Sequence, residues 1–180
     1  MQSQGFAPIA GVDSRVLILG SLPGQESLRR QQYYAQPRNA FWAIMGELFG
    51  AGPELPYAAR VRRLRAQRIA VWDVCAAAFR AGSLDTSIVA DSVVVNDFPA
   101  FFAAHRRIRL VCFNGTTAHV LYRRHVLPQL AGRAARLPVA VLPSTSPAHA
   151  ARSLIDKLAA WRTAVRPALA ANAAGARRRQ

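Results

Sequence analysis

A chain of 180 residues, 52% of them from the hydrophobic set, can fill one core and reads as a single domain. Its formal charge of +15 is almost wholly arginine, with Lys157 the only lysine, and points towards a polyanionic partner such as nucleic acid. Two cysteines and no apolar run near the roughly 20 residues of a membrane span leave no place for a disulfide framework, a four-thiolate iron–sulfur cluster or a bilayer helix.

The first segment, MQSQGFAPIAG, has no basic stretch followed by an apolar core, so no signal peptide is expected. RVLILG (15–20) then has the length and composition of a buried strand. The following GSLPGQESLRRQQYYAQPRNAFW (20–42) reads as a long active-site loop, turned by Gly20, Pro23 and Gly24 at a strand end, where α/β sheets place their ligands. Tyr33 and Tyr34 offer flat rings in this loop, and Asn39 offers a carboxamide just before the apolar FWAIMGELF. Asn39 also suits a helix N-cap, and one amide has groups for both roles. Phe41 and Trp42 belong to the core side of that helix.

YAARVRRLRAQ follows as a helix whose arginines (Arg60, Arg62, Arg63, Arg65, with Arg68 beyond) fall on several faces, the pattern of a solvated element. A second buried strand, RIAVWDV (68–74), ends near Asp73, which reads as structural; no spacing pairs it with Asp85. Residues 79–97 form an irregular excursion with one short strand or turn. FPAFFAAH is helical, RIRLVCF (107–113) is a third strand, and Asn114–Gly115 forms a turn at its carboxyl end. There Asn114 is either a turn former or a reader of a bound base. Helix TTAHVLYRRHVLPQL, strand LPVAVL (137–142) and helix AARSLIDKLAAWRTAV complete the alternation. The expected fold is α/β, with helices on both faces of a mainly parallel four-stranded sheet.

Between the last strand and helix, Pro143, Ser144, Thr145, Ser146 and Pro147 give a stiff loop of small hydroxyls suited to phosphate, with His149 just beyond. The four histidines show no metal-ligand spacing, so no metal and no cofactor are expected. Neither a P-loop nor a G-x-S-x-G elbow is present. The domain is expected over 1–166, with helical order ending at Pro167 and a basic tail over 167–180 that includes Arg177, Arg178 and Arg179.

Two of these segments together, G-S-L-P-G followed by Y-A-Q-P-R-N-A-F-W and the later P-S-T-S-P, resemble the uracil-DNA glycosylase superfamily. The likeness extends over nearly the whole chain to its hypoxanthine-DNA glycosylase branch. It implies a three-layer α/β/α sandwich and a monomeric, cytoplasmic, nucleoid-associated repair enzyme without a cofactor. Tyr34 matches the aromatic that stacks on the extracted base, Asn39 the catalytic amide, and residues 143–147 with His149 the minor-groove loop. Leu22 departs from the family pattern, standing where related enzymes carry a water-positioning Asn; this argues against efficient uracil removal. Ser21 and Leu22 would then read the base through their backbone, alongside Asn114. A mismatch-specific uracil- or thymine-directed glycosylase, one acting on other deaminated purines, or a DNA-binding module of the same fold that has lost its chemistry, are the alternatives.

Overall fold

The computed structural model describes residues 2–170. Its centre is a parallel sheet in the order β3-β2-β6-β7: β2 (Val16–Gly20), β3 (Ile69–Asp73), β6 (Leu110–Asn114) and β7 (Val139–Leu142). Every residue of β2 and β3 is buried, as continuous Val/Ile/Leu runs require in a sheet covered on both faces. Leu19 lies opposite Trp72 on one side and Phe113 on the other, so these three share a face. They meet Phe98 and Phe101 of α4 (Phe98–Ala104) and Tyr122, which follows α5 (Thr116–Leu121). The other aromatic group, Phe41, Trp42 and Trp161, joins α2 (Phe41–Phe49) to α6 (Leu154–Ala170). The four-stranded α/β fold read from the sequence is therefore present.

A second sheet was not anticipated. The polar β1 (Gln2–Gln4) pairs antiparallel with β4 (Cys75–Phe79), which pairs antiparallel with β5 (Val94–Val95). The loop after β2 is also more ordered than its composition suggested: it contains α1 (Gln25–Arg30), while α3 (Tyr57–Ala66) fully buries only Leu64 and leaves Arg62, Arg63 and Arg65 exposed, with Arg60 half-buried over the Trp42 ring.

Pro167 does not end the last helix, which continues to Ala170. Its carboxyl end is held by Arg15, whose guanidinium donates to the Leu169 carbonyl at 2.8 Å, and Ala168 and Leu169 pack on the core. These contacts outweigh the single backbone donor that proline lacks. The arginines at 177–179 lie outside the described residues.

Candidate active site at the carboxyl edge of the sheet

Strand register assembles the site. Gly20 lies opposite Asp73, and Asn114, one residue beyond the Leu19–Phe113 pair, continues the same row towards Leu142. Alternation along each strand puts this row on the face opposite Leu19, Trp72 and Phe113, the face where Phe41 and Trp161 pack. Gly20 has no side chain, so a slot opens between Asp73 and Asn114. With strands about 4.8 Å apart, its flanking backbones stand on the order of 9–10 Å from each other. Tyr34 closes it: a methyl on Gly20 would collide with Asp73 Oδ1 and sit 2.9 Å from the Tyr34 hydroxyl.

Tyr34 holds a left-handed backbone conformation (φ 53°), uncommon for an aromatic residue, and its ring stacks on Phe41 at 3.9 Å between centroids. Tyr33 packs into the core instead. It is buried, its hydroxyl donates to the Ala7 carbonyl at 3.1 Å, and its own carbonyl accepts from the Trp42 indole at 2.8 Å. Asn39 is half-buried, and its Oδ1 accepts from the Phe41 N–H at 3.0 Å, which caps the start of α2. This leaves the amide N–H groups and a second oxygen lone pair for a ligand or water.

Asn114 is tied to the downstream loop. Its Oδ1 accepts from the Thr145 N–H and its Nδ2 donates to Thr145 Oγ1, both at 2.8 Å. Thr145 is 1% exposed, and its carbonyl accepts from the Ala40 N–H at 3.0 Å. Asn114 and Thr145 thus form one network, which reaches the start of α2 through the backbone of Ala40, the neighbour of Asn39. Gly115 (φ 100°) allows the close approach of Ser144, whose Cβ lies 3.1 Å from where a side chain at 115 would begin. From α6 the loop is held by Trp161, whose indole donates to the Pro143 carbonyl at 3.1 Å, and by Lys157, whose ammonium donates to the His149 carbonyl at 2.9 Å. Ser144, Ser146 and Pro147 are partly exposed and His149 is exposed.

The turn after β2 is fixed from below. The Leu22 side chain packs inward against Cys75 and Ala78, so it does not face the site. The Gly20 and Ser21 carbonyls accept from the N–H groups of Val74 and Cys75. Arg80, its side chain fully buried, donates to the carbonyls of Leu22 and Pro23 and pairs with Asp85 at 3.5 Å. The carbonyls of Ser21 and Leu22 therefore each already accept one hydrogen bond within the protein.

Sequence reading missed four contributors: Asp73, Arg80, Asp85 and Lys157. Asp73 and Asp85 are brought close enough to raise the Asp73 pKa, which burial pushes up to about 7 and Arg80 partly offsets. Burial likewise raises the Asp85 carboxyl, against a hydrogen bond from Ser21 and the charge of Arg80. Asp73 Oδ2 and the Tyr34 hydroxyl are buried without a hydrogen-bond partner. The Asn114 amide lies near enough to favour ionisation of that hydroxyl, without a hydrogen bond of ordinary geometry, and burial dominates in raising its pKa. A signal existed in the sequence: Gly20, Asp73 and Asn114 each end an apolar run.

A cavity of about 290 Å³, lined by His119, Tyr122 and Val139 among others, lies elsewhere and holds none of these residues. No group of three or more His, Cys, Asp or Glu suited to a metal occurs among the described residues, and Cys75 and Cys112 are buried free thiols. No helix there is long and apolar enough to cross a membrane.

Known proteins resemble this arrangement throughout. The chain is 39% identical over 119 residues to a hypoxanthine DNA glycosylase from Methanosarcina acetivorans, covering 66% of this chain and 74% of that protein. It is 38% identical over 116 residues to a protein of the same name from Methanosarcina barkeri, covering 64% and 72%. A solution NMR structure from Methanosarcina acetivorans, described as a candidate uracil DNA glycosylase, superposes with a TM-score of 0.72 at 35% identity, covering 91% of this chain and 98% of that one. The family model of the uracil DNA glycosylase superfamily matches residues 8–170, and the chain belongs to that superfamily.

Proposed function

We propose that this protein is a monofunctional DNA glycosylase that removes a deaminated base, hypoxanthine before others, and leaves an abasic site. The observation that carries the reading is the Asn114–Thr145 network, tied through the Ala40 backbone to the segment of Asn39, beside the row Asp73–Gly20–Asn114. Two relatives named hypoxanthine DNA glycosylase, at 39% and 38% identity, supply the lesion.

A base inside a duplex is out of reach, so the nucleotide rotates into the slot. The 143–149 loop, pinned by Lys157 and Trp161, presses on the backbone and holds the kink. Phe41 covers one face of the Tyr34 ring, leaving the other to receive the base. Asn39 does not titrate and so is no general base. It orients a water through its free oxygen lone pair and amide hydrogens. The water oxygen bonds to C1′ as the C1′–N9 bond breaks, the bonding electrons leave with the base, and the water proton passes to solvent or to the base. The sugar gains oxocarbenium character on the way, as in glycoside hydrolysis generally. The formal charge of +15 draws the enzyme to DNA, and it acts as a monomer in the nucleoid-bearing cytoplasm.

The test is an alkali-developed cleavage assay on duplexes carrying hypoxanthine, xanthine, uracil or a G·T mispair. Cleavage chiefly at hypoxanthine is expected. Cleavage chiefly at uracil would overturn the lesion assignment, and tight binding with no cleavage would overturn the enzymatic one.

A further inference from the structure

Two buried polar groups at the floor of the slot lack partners. Asp73 is 3% exposed with Oδ2 unpaired, and the Tyr34 hydroxyl beside it is unpaired as well. Leaving such a group unmet is costly, and buried polar groups in folded proteins are nearly always satisfied. In this structure the Tyr34 hydroxyl lies over Gly20 beside the Asp73 carboxyl and covers it. Gly20 has no side chain to meet that carboxyl, and Asn96 engages only the Asp73 backbone carbonyl, at 2.8 Å. Asn114, across the slot, is locked by Thr145 and cannot turn to serve it.

We propose that Asp73 is the specificity-determining residue of the site: its carboxylate accepts the N1–H of the flipped hypoxanthine and refuses adenine, whose N1 bears a lone pair. This rests on the glycosylase reading above and names how it tells a deaminated purine from its abundant parent. Lactam bases present an N–H at this edge, whereas an amidine edge sets a lone pair against the carboxylate. Repulsion of that kind rejects a near-isostere far more strongly than a missing apolar contact does. Arg80, buried nearby, limits the accumulation of negative charge when the base departs as an anion. The groups facing Asp73 are Arg80 and Asp85 from the segment after β4, Cys75 of β4, and the hydroxyls of Tyr33, Tyr34 and Tyr57.

Single-turnover excision from duplexes carrying hypoxanthine or unsubstituted purine, which has a bare N1, tests this in wild-type protein and Asp73→Asn. Comparing the two proteins by the ratio of the two rates cancels the different reactivity of the bases. Wild-type protein should favour hypoxanthine. Asp73→Asn, whose amide N–H can donate to the bare N1, should narrow that preference by about tenfold or more. A merely structural Asp73 would scale both rates alike, and an unchanged preference overturns the proposal while the glycosylase function stands. Failure of wild-type protein to release hypoxanthine overturns both. Should Asp73→Asn not fold, the wild-type preference itself decides: it should grow as pH rises through about 7, when the carboxylate forms, and a flat profile overturns the proposal.

Discussion

Replacing Asn114 with alanine should detach the 143–149 loop from the sheet. The substitution deletes two hydrogen bonds of 2.8 Å to a residue that is 1% exposed, and it strands the Thr145 N–H. Each bond contributes about 1 kcal/mol net, and a stranded buried donor adds about 1–3 kcal/mol, so a loss of about 3–5 kcal/mol follows. For a chain of this size that is a fall of roughly 6–20 °C in melting temperature. Thermal unfolding followed by circular dichroism, with two companions, resolves the parts. Thr145→Ser retains the hydroxyl and should melt near wild type, whereas Thr145→Val loses one bond and should lose about 1 kcal/mol. In the double variant the effects should fall short of the sum, because the partners share the bond. Asn114→Ala melting within a degree or two of wild type, or strict additivity, would refute the anchoring role.

Three further outcomes follow from the same geometry. Because burial raises the Asp73 pKa to about 7, the folded state binds this proton more tightly than the unfolded chain does. Stability should therefore be fullest below the unfolded carboxyl range and decline as pH rises to about 7, by on the order of 3–4 kcal/mol at most; Asp73→Asn should flatten the decline in pH-dependent melting curves. Lys157→Met should remove the ammonium hold on the His149 carbonyl and weaken duplex binding several-fold by fluorescence anisotropy, with little change in single-turnover rate at saturating protein. Duplex affinity should fall steeply with added salt, with a log–log slope of about −0.9 per phosphate neutralised; a slope near zero would remove the arginine surface from DNA binding.

The sheet was legible because β2 and β3 are fully buried and β6 nearly so, and continuous apolar runs are the strongest signal a chain carries. The helices α2 and α6 were legible for the related reason that large apolar residues recur at helical spacing on their inner faces, Phe41, Ile44 and Met45 in α2 and Trp161 and Val165 in α6. The second sheet was not: β1 is QSQ, and CAAAF in β4 is built mostly of alanines, which favour no strand. Helix α1 was hidden by the polar QESLRR, held in part by Glu26 pairing with Arg29. In the candidate site, Tyr34, Asn39 and residues 143–147 were singled out through their pattern. Asp73 was set aside because one strand read alone does not reveal its neighbours. Only the register that places it beside Gly20 and in line with Asn114 gives it a function. Leu22 was singled out for what it replaces, yet its side chain turns inward to Cys75 and Ala78.

The most direct measurement is single-turnover release of hypoxanthine from a duplex by wild-type protein, Asn39→Ala and Asn39→Ser. Serine can still cap α2 as Asn39 Oδ1 does through the Phe41 N–H, so it separates capping from chemistry. Release by wild type, with both variants slowed by on the order of 10²-fold or more while binding to abasic product persists, is the expected result. Wild-type rates in Asn39→Ser would contradict the account, because they would leave Asn39 as a cap and place the reaction elsewhere.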